Sequence, residues 1–333
     1  MVIADLETVR AVVESATSAP SVHNTQPWRF VWDGEALTVS EDPSRALASL
    51  DVTGRERVLS VGAAVGFARL AFRSAGVECR VEILPDPERP EIVARLVPEG
   101  AAAEDARSAE LVAVISSRYT ERGVFGREPV ASDAVARLVE AAESEGAWLR
   151  VLETAEDRVA LSVLLSHADA AESADPEYQA ELARWRTSEP ESEGIPDAAV
   201  AGPAPADRAS DFALRDFSPQ NRRERAGSVD DDAPPPVPER ALAVVLGTPF
   251  DDRRDWVVAG MALGRVLLQA TVDGLAAQPM TQVVEVPAAR ARLRQELRLL
   301  GVPQVVLRVG HGSGARATRR RPVDDVLETR SPD

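Results

Sequence analysis

The sequence has a single cysteine in 333 residues, which excludes an internal disulfide and fits a reducing, cytoplasmic setting. That residue, Cys79, lies in the alternating run ECRVEIL and reads as a packed strand position rather than a nucleophile. Histidine is scarce as well. None of the three is paired with a second at a metal-binding spacing, so no metal site is expected. No apolar run approaches the roughly 20 residues of a membrane-spanning helix. The opening MVIADLETVR lacks the basic stretch and apolar core of an export signal, so none is read. Positive charge is in deficit: a net charge of −16 argues against nucleic acid or an anionic membrane surface as a partner. An anionic ligand would have to be held by a few locally placed arginines. The densest basic run, RATRRRP at 316–322, reads equally well as a solvated segment or as part of such a site.

What the chain does contain is an internal repeat. SVGAAVGFARLAFRSAGV (60–77) aligns without a gap on VAGMALGRVLLQATVDGL (258–275), so Gly62, Gly66, Leu70 and Gly76 fall on Gly260, Gly264, Leu268 and Gly274. Downstream, PEIVARLV (90–97) matches PQVVLRVG (303–310). Upstream, VRAVVESA (9–16) matches VARLVEAA (135–142), and Trp28 then falls on Trp148. The first copy keeps the loop APSVHNTQPWRF (19–30), which the second has shortened to ESEGAW. Both long segments carry a Gly-x-x-x-Gly pair. Glycine costs helix stability, so its recurrence at equivalent positions predicts two helices in close approach near a pseudo-twofold axis.

The apolar periodicity predicts helices over 5–17, 54–75, 108–117, 132–144 and 255–273. It predicts strands near 28–33, ALTVS, 78–84, 92–97, 147–152 and 303–309. Two units follow: residues 1–105, and residues 106–333 with an insertion at about 155–248. The insertion opens with helical stretches. From Ser188 to Glu239 it is rich in Pro, Asp, Ser and Gly, and long aperiodic segments of this kind are usually lids or disorder. Part of it is expected to form an ordered cover over a ligand, with the DDDAPPP tract mobile.

Four segments carry a resemblance. APSVHNTQPWRF resembles the flavin-edge loop of the FMN-dependent nitroreductases, and SSRYTERGVF resembles their phosphate-binding segment. GLAAQPMTQ is similar to the stretch that contacts the isoalloxazine near N5, and TRRRPVDDV to the C-terminal basic motif. Their order suits the double-length, actinobacterial Acg-like branch of that family. The resemblance implies an α+β, nitroreductase-like fold, internally duplicated so that one chain mimics the family homodimer and acts as a monomer. It also implies one FMN, with NAD(P)H-dependent reduction of nitroaromatic, quinone or related acceptors. Two alternatives stand beside that activity: a lidded, flavin-sequestering protein with little turnover, and a pathway-specific flavoenzyme.

The same resemblance assigns residues. Arg118 and Arg122, with the Thr120 hydroxyl, would hold the phosphate, since alternate positions of an extended segment share a face. Tyr119 would point the other way and contribute its backbone N–H. Arg320 is the late phosphate arginine, with Arg319 and Arg321 as register alternatives. In the loop stiffened by Pro20 and Pro27, Ser21, Val22, Asn24 and Gln26 would meet the ring edge or ribityl chain. Pro279, Met280, Thr281 and Gln282 would contact the ring, the Thr281 N–H donating to N5. No side chain is assigned as a general acid, His23 included, and Trp28 is read as core.

Overall fold

The computed structural model of the chain describes residues 4–187, 193–197, 208–212, 237–314 and 318–330. Apolar residues at helical spacing bury one face of α1 (Leu6–Thr17), and the Asp5 carboxylate caps it by accepting the Thr8 N–H at 2.8 Å. Strands β1 (Trp28–Trp32) and β2 (Leu37–Glu41) pair antiparallel, from Trp28 opposite Glu41 to Trp32 opposite Leu37. Helix α2 (Arg55–Ser74), β3 (Val77–Ile83) and β4 (Ile92–Ala101) complete the first half.

The second half opens with α3 (Ala106–Ala113), α4 (Ser132–Glu143), β5 (Trp148–Val151), α5 (Ala155–Ala174) and α6 (Pro176–Arg184). Two short parallel pairs follow, β6 (Arg186–Thr187) with β7 (Ile195–Pro196) and β8 (Arg208–Ala209) with β9 (Val237–Pro238). The chain then runs through β10 (Leu242–Thr248), α7 (Arg253–Val272), β11 (Ala276–Pro279), α8 (Gln282–Glu285), α9 (Pro287–Glu296), β12 (Val302–Gly310) and β13 (Leu327–Thr329).

The two main sheets have one topology. The first is ordered β13-β1-β2-β4-β3 and the second β11-β12-β10-β5, so in each the four equivalent strands, taken in chain order, lie first-second-fourth-third. The late strand β13 crosses back to pair parallel with β1, tying the C-terminal segment to the first sheet. The sheets differ in cover. In the first, WRFVW and LTVSE alternate between buried and accessible, as a sheet packed on one face must. In the second, β10 and β12 are buried almost throughout, because α4 and α7 cover one face while α5, α8 and α9 cover the other.

Between the sheets, α2 crosses α7 with reciprocal contacts. A Cβ on Gly62 would lie 2.5 Å from the Val257 carbonyl oxygen, and one on Gly260 would lie 2.0 Å from that of Leu59. One turn on, Gly66 meets Met261 and Gly264 meets Phe67 and Ala63. Under the sequence alignment Leu59 corresponds to Val257 and Ala63 to Met261, so the two helices exchange the same contacts, as at an isologous interface.

Two expectations are corrected. An 18-residue window of α7 does reach a mean hydropathy of 1.2, long and apolar enough by composition to cross a membrane. Yet 67% of that window is buried inside the protein, since a helix packed on several sides needs an apolar surface on all of them. The insertion is also shorter than the expected 155–248. Its last stretch, β10, pairs with both β5 and β12 in the middle of the second sheet. Helix α5 is likewise part of that sheet's packing, through Leu161, Leu164 and Leu165. Among the described residues of the insertion, α6 and residues 193–197 reach across to the first half, where Tyr178, Leu182 and Ile195 pack on Leu47 and Leu50. The DDDAPPP tract lies outside the described residues. Cys79 is buried in β3, and burial pushes its thiol up to about 12, so it is held as a neutral packing group.

Candidate functional site

A cavity opens where the two halves meet, lined by residues of both. One wall is the loop after α1. Here Pro20, Ser21, Val22, His23 and Asn24 line the space, and His23, Asn24 and Gln26 adopt left-handed φ values of 48°, 55° and 49°. Such backbone costs about 1–3 kcal/mol per non-glycine residue and persists only where the surroundings enforce it. The loop is held by its own polar groups. The Ser21 hydroxyl accepts the Gln26 N–H at 3.0 Å, and the Thr25 hydroxyl donates to the Val22 carbonyl at 2.9 Å.

The opposite wall comes from the second half. Thr120 bridges to Ala277 of β11, and the Glu121 N–H donates to the Ala277 carbonyl at 3.1 Å, which keeps the segment extended. Arg118, Thr120 and Arg122 therefore face the cavity together. Tyr119 and Glu121 face away: the Tyr119 hydroxyl accepts the Gly314 N–H at 3.2 Å, and Glu121 accepts the Ser313 N–H at 2.7 Å. Of the three late arginines, Arg320 lines the cavity. Arg319 is exposed and Arg321 pairs with Glu193 at 3.7 Å, so only the middle one faces the site.

The cavity is strongly cationic. Burial lowers the Arg118 and Arg122 guanidinium groups to about 10, and Arg122 adds to the effect on Arg118. Arg320 falls to about 9 through burial and then through repulsion from Arg118 and Arg122. Among the described residues no carboxylate lies within ion-pair distance of Arg118 or Arg320, and the Nε of each is buried without a hydrogen bond. The chain contains no lysine, so every cationic side chain here is a planar guanidinium suited to bidentate anions.

A further stretch of wall contains Gln278, Pro279, Thr281 and Gln282. Met280 does not join them. Its side chain is buried in the apolar cluster beneath the second sheet, and its N–H donates to the Val306 carbonyl at 2.7 Å. Gln26 is also placed differently from expectation. Fully buried below the loop, its side-chain oxygen accepts the Arg321 N–H at 2.8 Å, so it braces the C-terminal segment instead of facing the cavity. Trp28 is completely buried in the core.

Some of the wall was not marked by any motif. Glu56, Leu59 and Ser60 come from the first turns of α2, Leu263 from α7, Val305 from β12 and Ile195 from the segment after α6. A faint signal existed for Ser60, whose repeat partner is Val258 and whose hydroxyl here accepts the Val22 N–H at 3.3 Å. Ile195 belongs to the cover: Asn24 donates through Nδ2 to the Gly194 carbonyl at 2.9 Å, while Glu193 pairs with Arg45. The Asn24 Oδ1 is left buried with no hydrogen bond among the described residues.

No family model matches the chain. Among curated proteins it is 32% identical to the Mycobacterium tuberculosis protein named "Putative NAD(P)H nitroreductase Rv3131", over 97% of this chain and 92% of that one. It is 30% identical to "Putative NAD(P)H nitroreductase acg" of the same organism, over 98% and 97%. Solved structures aligned to it include a nitroreductase with bound FMN from Desulfitobacterium hafniense (14% identity, 66% of this chain and 97% of that one, TM-score 0.39). Another is NfnB from Mycobacterium smegmatis in complex with NADPH (16%, 66% and 98%, TM-score 0.39). With near-complete coverage of two such mycobacterial relatives at this identity, the chain belongs to the Acg-like branch of the NAD(P)H nitroreductase family.

Proposed function

We propose that this protein is an FMN-dependent NAD(P)H oxidoreductase that holds one flavin in the cavity between its two halves. The observation that carries the reading is the grouping of Arg118, Arg122 and Arg320 in one cavity with the loop bearing Ser21 and Asn24. The residues suit the group. A flavin phosphate of nearly two negative charges would relieve the repulsion among the three guanidinium groups and satisfy the open Nε atoms. Thr120 would add a hydroxyl contact. Asn24 Oδ1 offers an acceptor for the ring's pyrimidine edge, and the backbone at Thr281 offers a donor towards N5. Bound FMN supplies hydride transfer; the chain supplies grip, orientation and shielding from water.

We further propose that the chain arose by duplication into units 1–105 and 106–333 and acts as a monomer. The shared strand order and the reciprocal α2–α7 contacts support this, since the crossing reproduces a dimer interface within one molecule. Nitroaromatics, quinones and related acceptors are the substrates this reading favours, in a cytoplasmic setting. A sequestering role with little turnover is favoured by one observation, the clamp between Asn24 and Gly194 that holds the cover on the loop.

One measurement separates the two. Purified holoprotein is mixed anaerobically with NADH or NADPH and the flavin band near ~450 nm is followed. Rapid bleaching is the expected result; bleaching by dithionite alone would replace the reductase reading with sequestration.

A further inference from the structure

The cavity wall contains a buried carboxylate that the flavin grip does not use. Glu56 lies in the first turn of α2 at 4% exposure and shares the wall with Thr281 and Gln282. Its position is fixed at both ends. The Glu56 N–H donates to Asp51 at 3.0 Å, and the Arg55 guanidinium donates to Glu56 Oε1. Among the described residues no hydrogen bond reaches Oε2. Arg55 is itself divided, donating also to the Gln304 carbonyl at 2.8 Å and the Gln304 side-chain oxygen at 3.0 Å, so it does not serve Glu56 alone.

We propose that Glu56 Oε2 takes up the proton that offsets the charge added when the flavin in this cavity is reduced. The proposal rests on the FMN reading above. The groups facing Glu56 are few. Arg55 shares its helix, Asp51 precedes it, Glu285 approaches from α8 and Arg290 from α9, while His23 lines the same cavity from the loop. Leu263 of α7 and Val305 of β12 contribute only apolar surface. Around Glu56 itself, three carboxylates thus answer two arginines, while Arg118, Arg122 and Arg320 line the same cavity. Burial pushes Glu56 up to about 7 against the pull of Arg55, with Glu285 and Asp51 pushing the same way as burial. A group so placed is ionised in mildly alkaline solution and is converted to the acid by one more nearby negative charge.

Two electrons from a proton-free donor such as reduced methyl viologen, with one proton from water, would bring the bound flavin to its reduced form with one net negative charge. A second proton, drawn from water, then forms an O–H bond at Glu56 Oε2. No other reductant or acid is required.

The test counts protons. FMN-loaded protein is reduced anaerobically with reduced methyl viologen, whose oxidation releases no proton, in weakly buffered indicator dye at about pH 5.5 and about pH 8, on either side of the Glu56 midpoint. Wild type is expected to take up about one proton per flavin at the lower pH and about two at the higher, whereas Glu56→Gln takes up about one at both. Wild-type uptake of about one proton at pH 8 overturns the proposal even if the variant fails to fold. Loss of the second proton in His23→Asn but not in Glu56→Gln overturns it as well. A protein that binds no FMN overturns the functional reading and the proposal with it, while a yellow protein with single-proton uptake overturns the proposal alone.

Discussion

The Arg118 guanidinium donates to the Ser18 carbonyl at 3.3 Å, although 100 residues separate them. Ser18 caps α1 at the entrance to the loop that carries Ser21 and Asn24. The bond therefore joins the cationic segment of the second half to the polar loop of the first, at the rim of a shared cavity.

Removing Arg118 should release the flavin. Arg118→Ala loses a charge-assisted phosphate contact of about 1.5–3 kcal/mol, so FMN retention after dialysis should fall roughly tenfold or more. Absorbance of the purified protein measures this, and unchanged flavin content would count against the phosphate assignment.

The same cationic cluster should burden the flavin-free protein. Arg320 is a base whose folded value, about 9, lies well below that of a free guanidinium. The folded state thus disfavours the charged form, and its charge costs stability at neutral pH. Arg320→Gln should raise the melting temperature of apoprotein while weakening FMN retention. A variant that melts lower and keeps its flavin would contradict both halves of the expectation.

The helix crossing should resist added volume. In Gly260→Ala the new Cβ meets the Leu59 carbonyl at 2.0 Å, where backbone must move, whereas in Gly264→Ala it meets the edge of the Phe67 ring at 3.1 Å. Overpacking of this kind costs about 1–3 kcal/mol or more, so Gly260→Ala should melt several degrees lower and Gly264→Ala less. Equal melting temperatures for the two variants would show that the helices separate readily.

Acidity of the buried carboxylates should appear in stability. Burial raises Asp51 from 3.8 to about 6 and Glu56 from 4.5 to about 7. The folded state then binds more protons than the unfolded one between those limits, so stability falls as pH rises from about 4 to about 7. Urea midpoints of apoprotein across this window test the sign. Glu56→Gln should flatten the upper part of the slope, and an unaltered slope would remove Glu56 as its source.

Unhooking the cover should open the cavity. Glu181 of α6 accepts the Leu50 N–H at 3.0 Å and the Ser49 N–H at 3.2 Å, anchoring α6 to the first half. Glu181→Ala should make α6 and residues 193–197 more sensitive to limited proteolysis and speed flavin bleaching by NAD(P)H. Unchanged bleaching with faster nicking would show that this segment does not control access.

The repeated helices and much of the cavity wall were readable because their signals are local, whereas β10, β11, α8, α9 and β13 were not read. Alternation in RYTER puts Arg118, Thr120 and Arg122 on one face whatever surrounds it, and the paired glycines of α2 and α7 declare a close crossing. Met280 and Gln26 were misplaced because motif membership does not tell which way a side chain turns. In Met280 the sheet bond to Val306 sends the thioether into the core, and in Gln26 a left-handed residue turns the amide towards Arg321.

By itself, then, the amino-acid order determined the repeat, the glycine crossing, the family and the alternation that groups the arginines, since each depends on neighbours in the chain. Tertiary structure alone decided that Glu56 enters the cavity wall, that β10 belongs to the sheet, and that Asn24 is clamped by Gly194. Those outcomes depend on contacts between residues far apart in sequence. Burial and charge coupling arise only when such surfaces close on one another.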